Sequence, residues 1–368
     1  MIAFFGCWGY LGEGSGHEKV FRILENIKAS EIVVLGDNYY SEKIKITDKD
    51  GNKKKIKRNN LRYLRTLFGN LKNLQPKRGI HLLMGNHELQ KGGIKLIGKK
   101  NPEYPLFNTE YKLSKRYQFN TDIGTHYVPE MNCYLVKVDT NLFDPDYEDS
   151  IYSYEPALSH ESLLPLLVGL ERKENHKENH KVFICGHVPI VTWRNKNGES
   201  KFLSELDTLS INKMCELIKG ICDMGYESSD IFYMCADTHY FQTMKLDIDG
   251  VGEILQITNG GGGTDLDKMP NEANPITIFE GDEYGPVNSA SEVITLHQHG
   301  VLYYNTEPRN IFNFIFEIDK GRGNFLIELD QPRRSGKSKK HRTKKKSKKR
   351  KTKRKSKRKS KRKSKKHK

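Results

Sequence analysis

Five short apolar runs in this chain stop in the same way, and that recurrence constrains its architecture more than any other feature. Ile2–Phe5 ends in Gly6-Cys7, Ile32–Leu35 in Gly36-Asp37, Ile80–Met84 in Gly85-Asn86-His87, Val182–Cys185 in Gly186-His187, and Ile231–Cys235 in Ala236-Asp237-Thr238-His239. Short apolar runs punctuated by Gly read as buried strands. In an α/β fold, strand ends that share a direction converge on one crevice, and ligands bind there. Taken alone, each ending is an ordinary polar turn. Five in succession, made of Cys, Asp, Asn, His and Tyr, point to one joint metal site.

The segments between these runs supply the covering layers. Val20, Phe21, Leu24 and Ile27 recur at helical spacing between the first two strands, so a parallel β-α-β unit opens the chain. Residues 43–58 read as a lysine-rich hairpin turning at Asp50-Gly51-Asn52. It is expected to be solvated, and its place beside Asp37 would also suit contact with an anionic substrate. Leu61–Leu74 carries a second helical pattern. Residues 89–131 are polar, rich in Tyr, Lys and Gly, and read as either a long excursion or a cap over a site.

Cys133–Val138 reads as a strand ending at Asp139-Thr140, Glu161–Arg172 as a helix, and Leu203–Met224 as mainly helical. The tandem from Glu174 to Lys181, which contains His176 and His180, is expected to be a solvated linker rather than a metal site. The Gly260–Gly263 loop after Ile254–Thr258 lacks the Lys-Ser/Thr of a phosphate-cradling loop and reads as a tight turn. Phe312–Ile318 and Phe325–Leu329 read as antiparallel strands. His297 and His299 are expected to form a surface pair on one strand face.

Charge is divided between body and tail. Of 63 Lys and Arg, 25 lie in residues 333–368 beside no acid, which leaves the body 38 against 46 acidic residues, a net of −8. The tail, with Lys344, Lys345, Lys346, Lys348, Lys349 and Arg350 among its basic residues, has no apolar side chain to anchor a fold and is expected to be disordered. It should bind polyanions such as RNA or DNA by counterion release, without sequence preference and with strong salt dependence. Nuclear targeting is the next reading. Six cysteines without CxxC spacing argue for reduced thiols in an intracellular protein. No run approaches the ~20 apolar residues of a membrane span, and Met1–Phe5 is too short for a signal-peptide core. A protein that is neither membrane-bound nor secreted is expected.

The ordered blocks resemble the calcineurin-like metallophosphoesterase superfamily, whose hallmarks are an Asp near the N-terminus, GD-x-x-(D or Y), GNH(D/E), GH and a late GH-x-H. Gly36-Asp37-Asn38-Tyr39-Tyr40 is similar to the purple-acid-phosphatase-like branch, where a Tyr three residues after the Asp is a ligand. Gly6-Cys7-Trp8-Gly9 stands where that branch has GDWG, and Gly186-His187-Val188-Pro189 where it has GHYP. The protein serine/threonine phosphatase branch shares GNHE but expects an Asp and an Arg where this chain has Tyr39 and Tyr40.

The resemblance covers residues 1–331 and implies an α/β fold there, a calcineurin-like β-sandwich flanked by helices, followed by a disordered tail over 332–368. It implies an acid-phosphatase-like enzyme that hydrolyses phosphate esters by attack of a metal-bound hydroxide, with two metal ions, Fe paired with Zn, Mn or Fe. Asp37 would bridge the two ions. Tyr40 and His239 would bind the first; Asn86, His187 and Asp237 would bind the second. His87 would protonate the leaving oxygen or steady the transition state.

Two departures stand out. Asp237 replaces the first His of the late His-x-His, with Ala236 for its Gly, and can still bind a divalent ion through oxygen. Cys7 replaces a first-metal Asp, and it is either a thiolate ligand for iron or zinc or a small core thiol. The alternative function is therefore a weakened phosphoesterase fold that acts as a nucleic-acid-associated protein through its tail. A basic tail on an intracellular member of this family resembles proteins of large DNA viruses, where virion association would follow. The phosphorylated substrate, whether monoester, diester, nucleotide or phosphoprotein, and the oligomeric state are open at this level.

Overall fold

Apolar runs and amphipathic segments alternate to give a mixed α/β chain that is mostly strand, arranged in several sheets with few helices. The computed structural model describes residues 1–9, 16–40, 42–47, 53–58, 61–87, 112–140, 162–175, 180–270, 277–279, 283–307, 310–318 and 321–329. The expected turn at Asp50-Gly51-Asn52, much of 89–131, His176 and the basic tail lie outside the described residues.

The chain opens with β1 (Ile2–Phe5), α1 (His17–Ile27) and β2 (Glu31–Leu35), followed by the hairpin β3 (Glu42–Thr47) and β4 (Lys53–Arg58). Next come α2 (Leu61–Asn73) and β5 (Gly79–Leu83), then β6 (Gly124–Val128), β7 (Cys133–Lys137) and β8 (Lys181–Cys185). A second hairpin, β9 (Thr192–Lys196) and β10 (Glu199–Leu203), precedes α3 (Thr208–Asp223) and β11 (Ile231–Cys235). The remaining strands are β12 (Phe241–Ile248), β13 (Gly252–Asn259), β14 (Thr277–Ile278), β15 (Val287–Leu296), β16 (Gly300–Asn305), β17 (Ile311–Ile318) and β18 (Gly321–Glu328).

Two large sheets result, in the orders β18-β17-β16-β1-β2-β5 and β14-β15-β12-β13-β11-β8-β7-β6. In the first, β1, β2 and β5 are parallel; in the second, β13, β11, β8 and β7 are parallel. Register sets the site. Leu35 pairs with Leu83 and Phe5 with Val34, so β1, β2 and β5 end together. Cys185 pairs with Met234, so β8 and β11 do the same.

The period-two alternation of strand side chains sorts the core into three layers. Phe4, Val33 and Leu83 of the first sheet share a core with Leu135, Phe183, Phe232 and Ile257 of the second. Their neighbours Phe5, Val34 and Leu82 turn the other way, onto Phe21 and Leu24 of α1 and Leu67 and Phe68 of α2. On the far face of the second sheet, Val136, Ile184 and Tyr233 share a core with Ile211, Met214 and Leu217 of α3. Each fully buried side chain of this kind contributes about 1.5–3 kcal/mol. The α3 N-terminus is fixed by Asp207, whose side chain accepts a 2.8 Å bond from the Ser210 amide, a cap worth about 1 kcal/mol.

Four expectations are corrected. The helix expected over Glu161–Arg172 is only a 3₁₀ turn at Leu164–Leu167 among the described residues, and Gly169 follows it at a left-handed φ of 95°, which ends the turn. The pattern from Leu203 becomes helical only at Thr208, since residues through Leu203 pair as the Asn197-Gly198 hairpin. His180 is buried rather than solvated, with a ring nitrogen 3.2 Å from the Tyr127 hydroxyl. His297 and His299 lie past the end of β15, and His299 is buried with Nδ1 3.3 Å from the Gly261 carbonyl.

Candidate functional site

Three of the five strand ends turn the same backbone corner. Cys7, Asp37 and Asp237, each one residue beyond a strand's last Gly or Ala, hold φ values of 54°, 52° and 51°. That left-handed region costs L-residues of order 1 kcal/mol, Asp less than most, and is retained where the surroundings over-determine it. The Cys7 amide donates to the Gly36 carbonyl at 3.0 Å, the Trp8 amide to the Asp37 carbonyl at 3.2 Å, and the Ala236 amide to the His187 carbonyl at 2.8 Å. Two glycines are required by the closeness of these corners. A Cβ on Gly85 would stand 2.2 Å from Asp37 Oδ1, and one on Gly36 would stand 2.6 Å from His187 Nδ1.

The side chains converge on the Asp37 carboxylate, which is buried. The Tyr40 hydroxyl donates to Oδ2 at 2.7 Å, and the His87 backbone amide donates to Oδ1 at 2.9 Å. Cys7 Sγ lies 3.9 Å from Oδ2, and His187 Nε2 lies 3.3 Å from Oδ1. His187 Nδ1 donates to the Leu35 carbonyl at 2.7 Å, so its ring orientation is fixed and Nε2 faces the acids, 3.7 Å from Asp237 Oδ1. Asn86 Nδ2 is 3.4 Å from the same Asp237 oxygen, and His239 Nε2 is 3.4 Å from the Tyr40 hydroxyl. His87 sits at the rim, its ring 4.3 Å from that of Tyr40 and its Nε2 3.9 Å from Asp37 Oδ2. All seven residues expected at the metal site, with His87, are therefore brought together.

Burying so many ionisable groups side by side shifts them strongly. Burial alone would raise Asp37, but the facing His187 and the His87 amide hold it well below the carboxylate range. Burial would lower His187, yet Asp37 and Asp237 raise it to about 10. Asp237 is pushed up to about 7 by burial and by Glu205 and Asp37. Burial, then the Asp37 charge, pushes both the Cys7 thiol and the Tyr40 phenol far above their ordinary values.

Sequence reasoning missed three contributors. Asn38 is fully buried, accepts from Trp8 Nε1 at 3.1 Å and donates to the Leu83 carbonyl at 2.8 Å, so it ties the ends of β1, β2 and β5. Its position inside Gly36-Asp37-Asn38 was the available signal. Asp267 accepts the His239 amide at 3.2 Å and sits 3.6 Å from His239 Nδ1, which leaves the opposite ring nitrogen toward Tyr40. Arg194 on β9 donates to Asp267 at 3.2 Å and lies 3.8 Å from Asp237. No local pattern marks Arg194 or Asp267, because both reach the site only through tertiary packing.

The donor set suits cations. Cys7, Asp37 and His187 present ligand atoms within 4.8 Å of one another. Buried His187 Nε2 and Asn86 Oδ1 have no hydrogen-bond partner in the protein, a costly arrangement unless another group completes it. The basic residues Lys344, Lys345, Lys346, Lys348, Lys349 and Arg350 lie outside the described residues. No helix among the described residues is long and apolar enough to cross a membrane.

No family model matches the chain. No curated protein matches it either. Among solved structures it is similar to PhoD, at 12% identity and a TM-score of 0.43 over 88% of this chain and 70% of that one. It is also similar to a glycoside hydrolase family 18 N-acetylglucosaminidase from Paenibacillus barengoltzii, at 9% identity and a TM-score of 0.22 over 79% of this chain and 86% of that one. At TM-scores below 0.5, neither likeness bears on what this chain does.

Proposed function

We propose that this chain is a metal-dependent phosphoesterase of the calcineurin-like, purple-acid-phosphatase-like kind, acting on phosphate esters. One observation carries the reading: parallel strand ends from two sheets gather Asp, Tyr, Asn and His donors around Asp37, with buried His187 Nε2 and Asn86 Oδ1 making no hydrogen bond within the protein. Asp37 would be the residue that two cations share. Tyr40 and His239 stand on its Oδ2 side; Asn86, His187 and Asp237 stand on its Oδ1 side. Iron with zinc, manganese or a second iron suits this mixture of phenol, imidazole and carboxylate donors. When bound, such a pair polarises the phosphoryl oxygens and supplies an activated water.

The chain's own groups do the rest. Asp267 steadies the His239 ring, and Arg194 offsets the acid charge at Asp237 and Asp267. His87, half-buried at the rim, is positioned to give a proton to the leaving alkoxide. The basic tail would hold the enzyme near RNA or DNA by charge alone.

Cys7 favours a second reading, the weakened site tethered through that tail. Burial and the nearby Asp37 charge favour the protonated form of this thiol, so it gives up its proton to a cation less readily than a carboxyl in its place would. Metal content and hydrolysis of p-nitrophenyl phosphate, compared among the wild type, Asp37→Ala and Cys7→Asp, separate the two. About two metals per chain, with hydrolysis that disappears in Asp37→Ala, supports the enzyme. Hydrolysis that survives Asp37→Ala sinks it, and activity seen only in Cys7→Asp supports the weakened site.

A further inference from the structure

The other end of β2 carries a second gathering of ligand-type side chains. Glu31 opens β2, His81 lies in β5 and His126 in β6, the strands that terminate the first and second sheets respectively. Glu31 Oε1 is 2.5 Å from His81 Nε2 and 3.1 Å from His126 Nε2, and the two rings stand 4.7 Å apart. The three ligand atoms lie within 4.8 Å of one another. Glu31 and His81 are 1% and 2% exposed, whereas the His126 side chain is 39% exposed, so the trio has a dry floor and one side open to solvent.

We propose that Glu31, His81 and His126 bind a zinc-class divalent cation that clasps the two sheets at this edge. Two imidazoles and one carboxylate, with an open fourth position, are a donor set zinc accepts. An independent observation supports a missing cation: Glu31 Oε2 is buried without a hydrogen-bond partner. A buried carboxylate oxygen left bare in this way costs free energy that a bound cation would recover. Lys137, buried nearby, donates to Asn120 Oδ1 at 2.8 Å and makes no ion pair or hydrogen bond with Glu31. The Met1 ammonium does not either, being held by Ser30 Oγ at 3.2 Å and by Met131. Six residues of extended chain separate Glu31 from Asp37, about 20 Å at ~3.3 Å per residue, so the clasp is distinct from the strand-end site.

The test is zinc titration by calorimetry and thermal melting on full-length, metal-stripped protein. The double variant Asp37→Ala/His187→Ala silences the strand-end site, and it is expected to retain one zinc equivalent with a zinc-dependent rise in Tm. Adding His126→Ala, a half-exposed position, should weaken that equivalent by roughly 100-fold or more and remove the rise. Comparison of wild type with His126→Ala alone gives the same reading should the double variant not fold, with one equivalent fewer expected in His126→Ala. Equal zinc stoichiometry and equal melting shifts with and without His126 would overturn the proposal and leave a plain buried ion pair.

Discussion

The two ends of β2 hold two ligand-rich clusters that differ in how they are built. Beyond its C-terminal end, Asp37 meets residues from corners that follow β1, β5, β8 and β11, each held by tight backbone contacts. At its N-terminal end, Glu31 meets His81 and His126 from within strands of opposite sheets. The first cluster is made by strand endings, where the chain is free to present side chains into a crevice. The second is made by strand interiors, where each position must also serve a sheet. Strand endings are suited to a ligand-binding crevice, and strand interiors to a tie between sheets.

The largest expected effect separates the ends outright. Asp37→Ala should lower phosphate-ester hydrolysis by roughly 10³-fold, because several kcal/mol of charge stabilisation go with it, and calorimetry should still find zinc at Glu31. Loss of both together would mean that the two ends are one cooperative unit.

Glu31→Gln tests the converse. Burial would raise this carboxyl, but hydrogen bonds from His126 and His81 win and set it at about 2, below the ordinary 4.5. Ionised Glu31 therefore contributes stability that is fully present above pH 4.5 and is lost as pH falls from there toward 2. The shift corresponds to about 3 kcal/mol. Urea unfolding should show Glu31→Gln destabilised by about that much at pH 7, by progressively less in acid, and with hydrolysis retained. A constant difference at every pH would assign the loss to packing instead.

A smaller change is expected from Cys7→Asp. Asp tolerates the left-handed corner at residue 7 better than Cys and adds an ionised donor beside Tyr40. First-metal affinity should rise on the order of tenfold, 1.4 kcal/mol, in a metal titration. No rise would mean that the native thiol already ligates.

Removing residues 333–368 should alter hydrolysis least, within about twofold, while abolishing salt-sensitive binding to RNA in a filter assay. Persistent binding would move the polyanion site onto the folded body, where the β3–β4 lysines are the first residues to replace.

Much of the first cluster was legible because its chemistry is contiguous with its secondary structure. Gly-Asp-Asn-Tyr-Tyr and Gly-Asn-His each carry the strand end, the turn and the side chains in a few residues. Arg194 and Asp267 left no such trace, since their distances to Asp237 and His239 depend on how the second hairpin and the Gly260–Gly263 loop fold back. The Asn197-Gly198 hairpin did carry a local signal, the two-residue turn that fits twisted strands. The apolar pattern beginning at Leu203 overrode it. Gly169 similarly outweighed an apolar spacing that looked helical.

The sequence by itself determined the five strand runs that end at the site, the amphipathic faces of α1 and α2, the charge contrast between body and tail, and the residues that follow each of those five strands. These depend on periodicity, backbone preference and composition, all of which act over a few residues. Only the tertiary structure decided that β1 lies between β2 and the distant β16, that Asp37 faces His187 while Tyr40 meets His239, and that Glu31, His81 and His126 meet. Those contacts join residues 50 to about 300 positions apart, and strand pairing at such range is chosen by the register and burial of whole sheets, which no local pattern encodes.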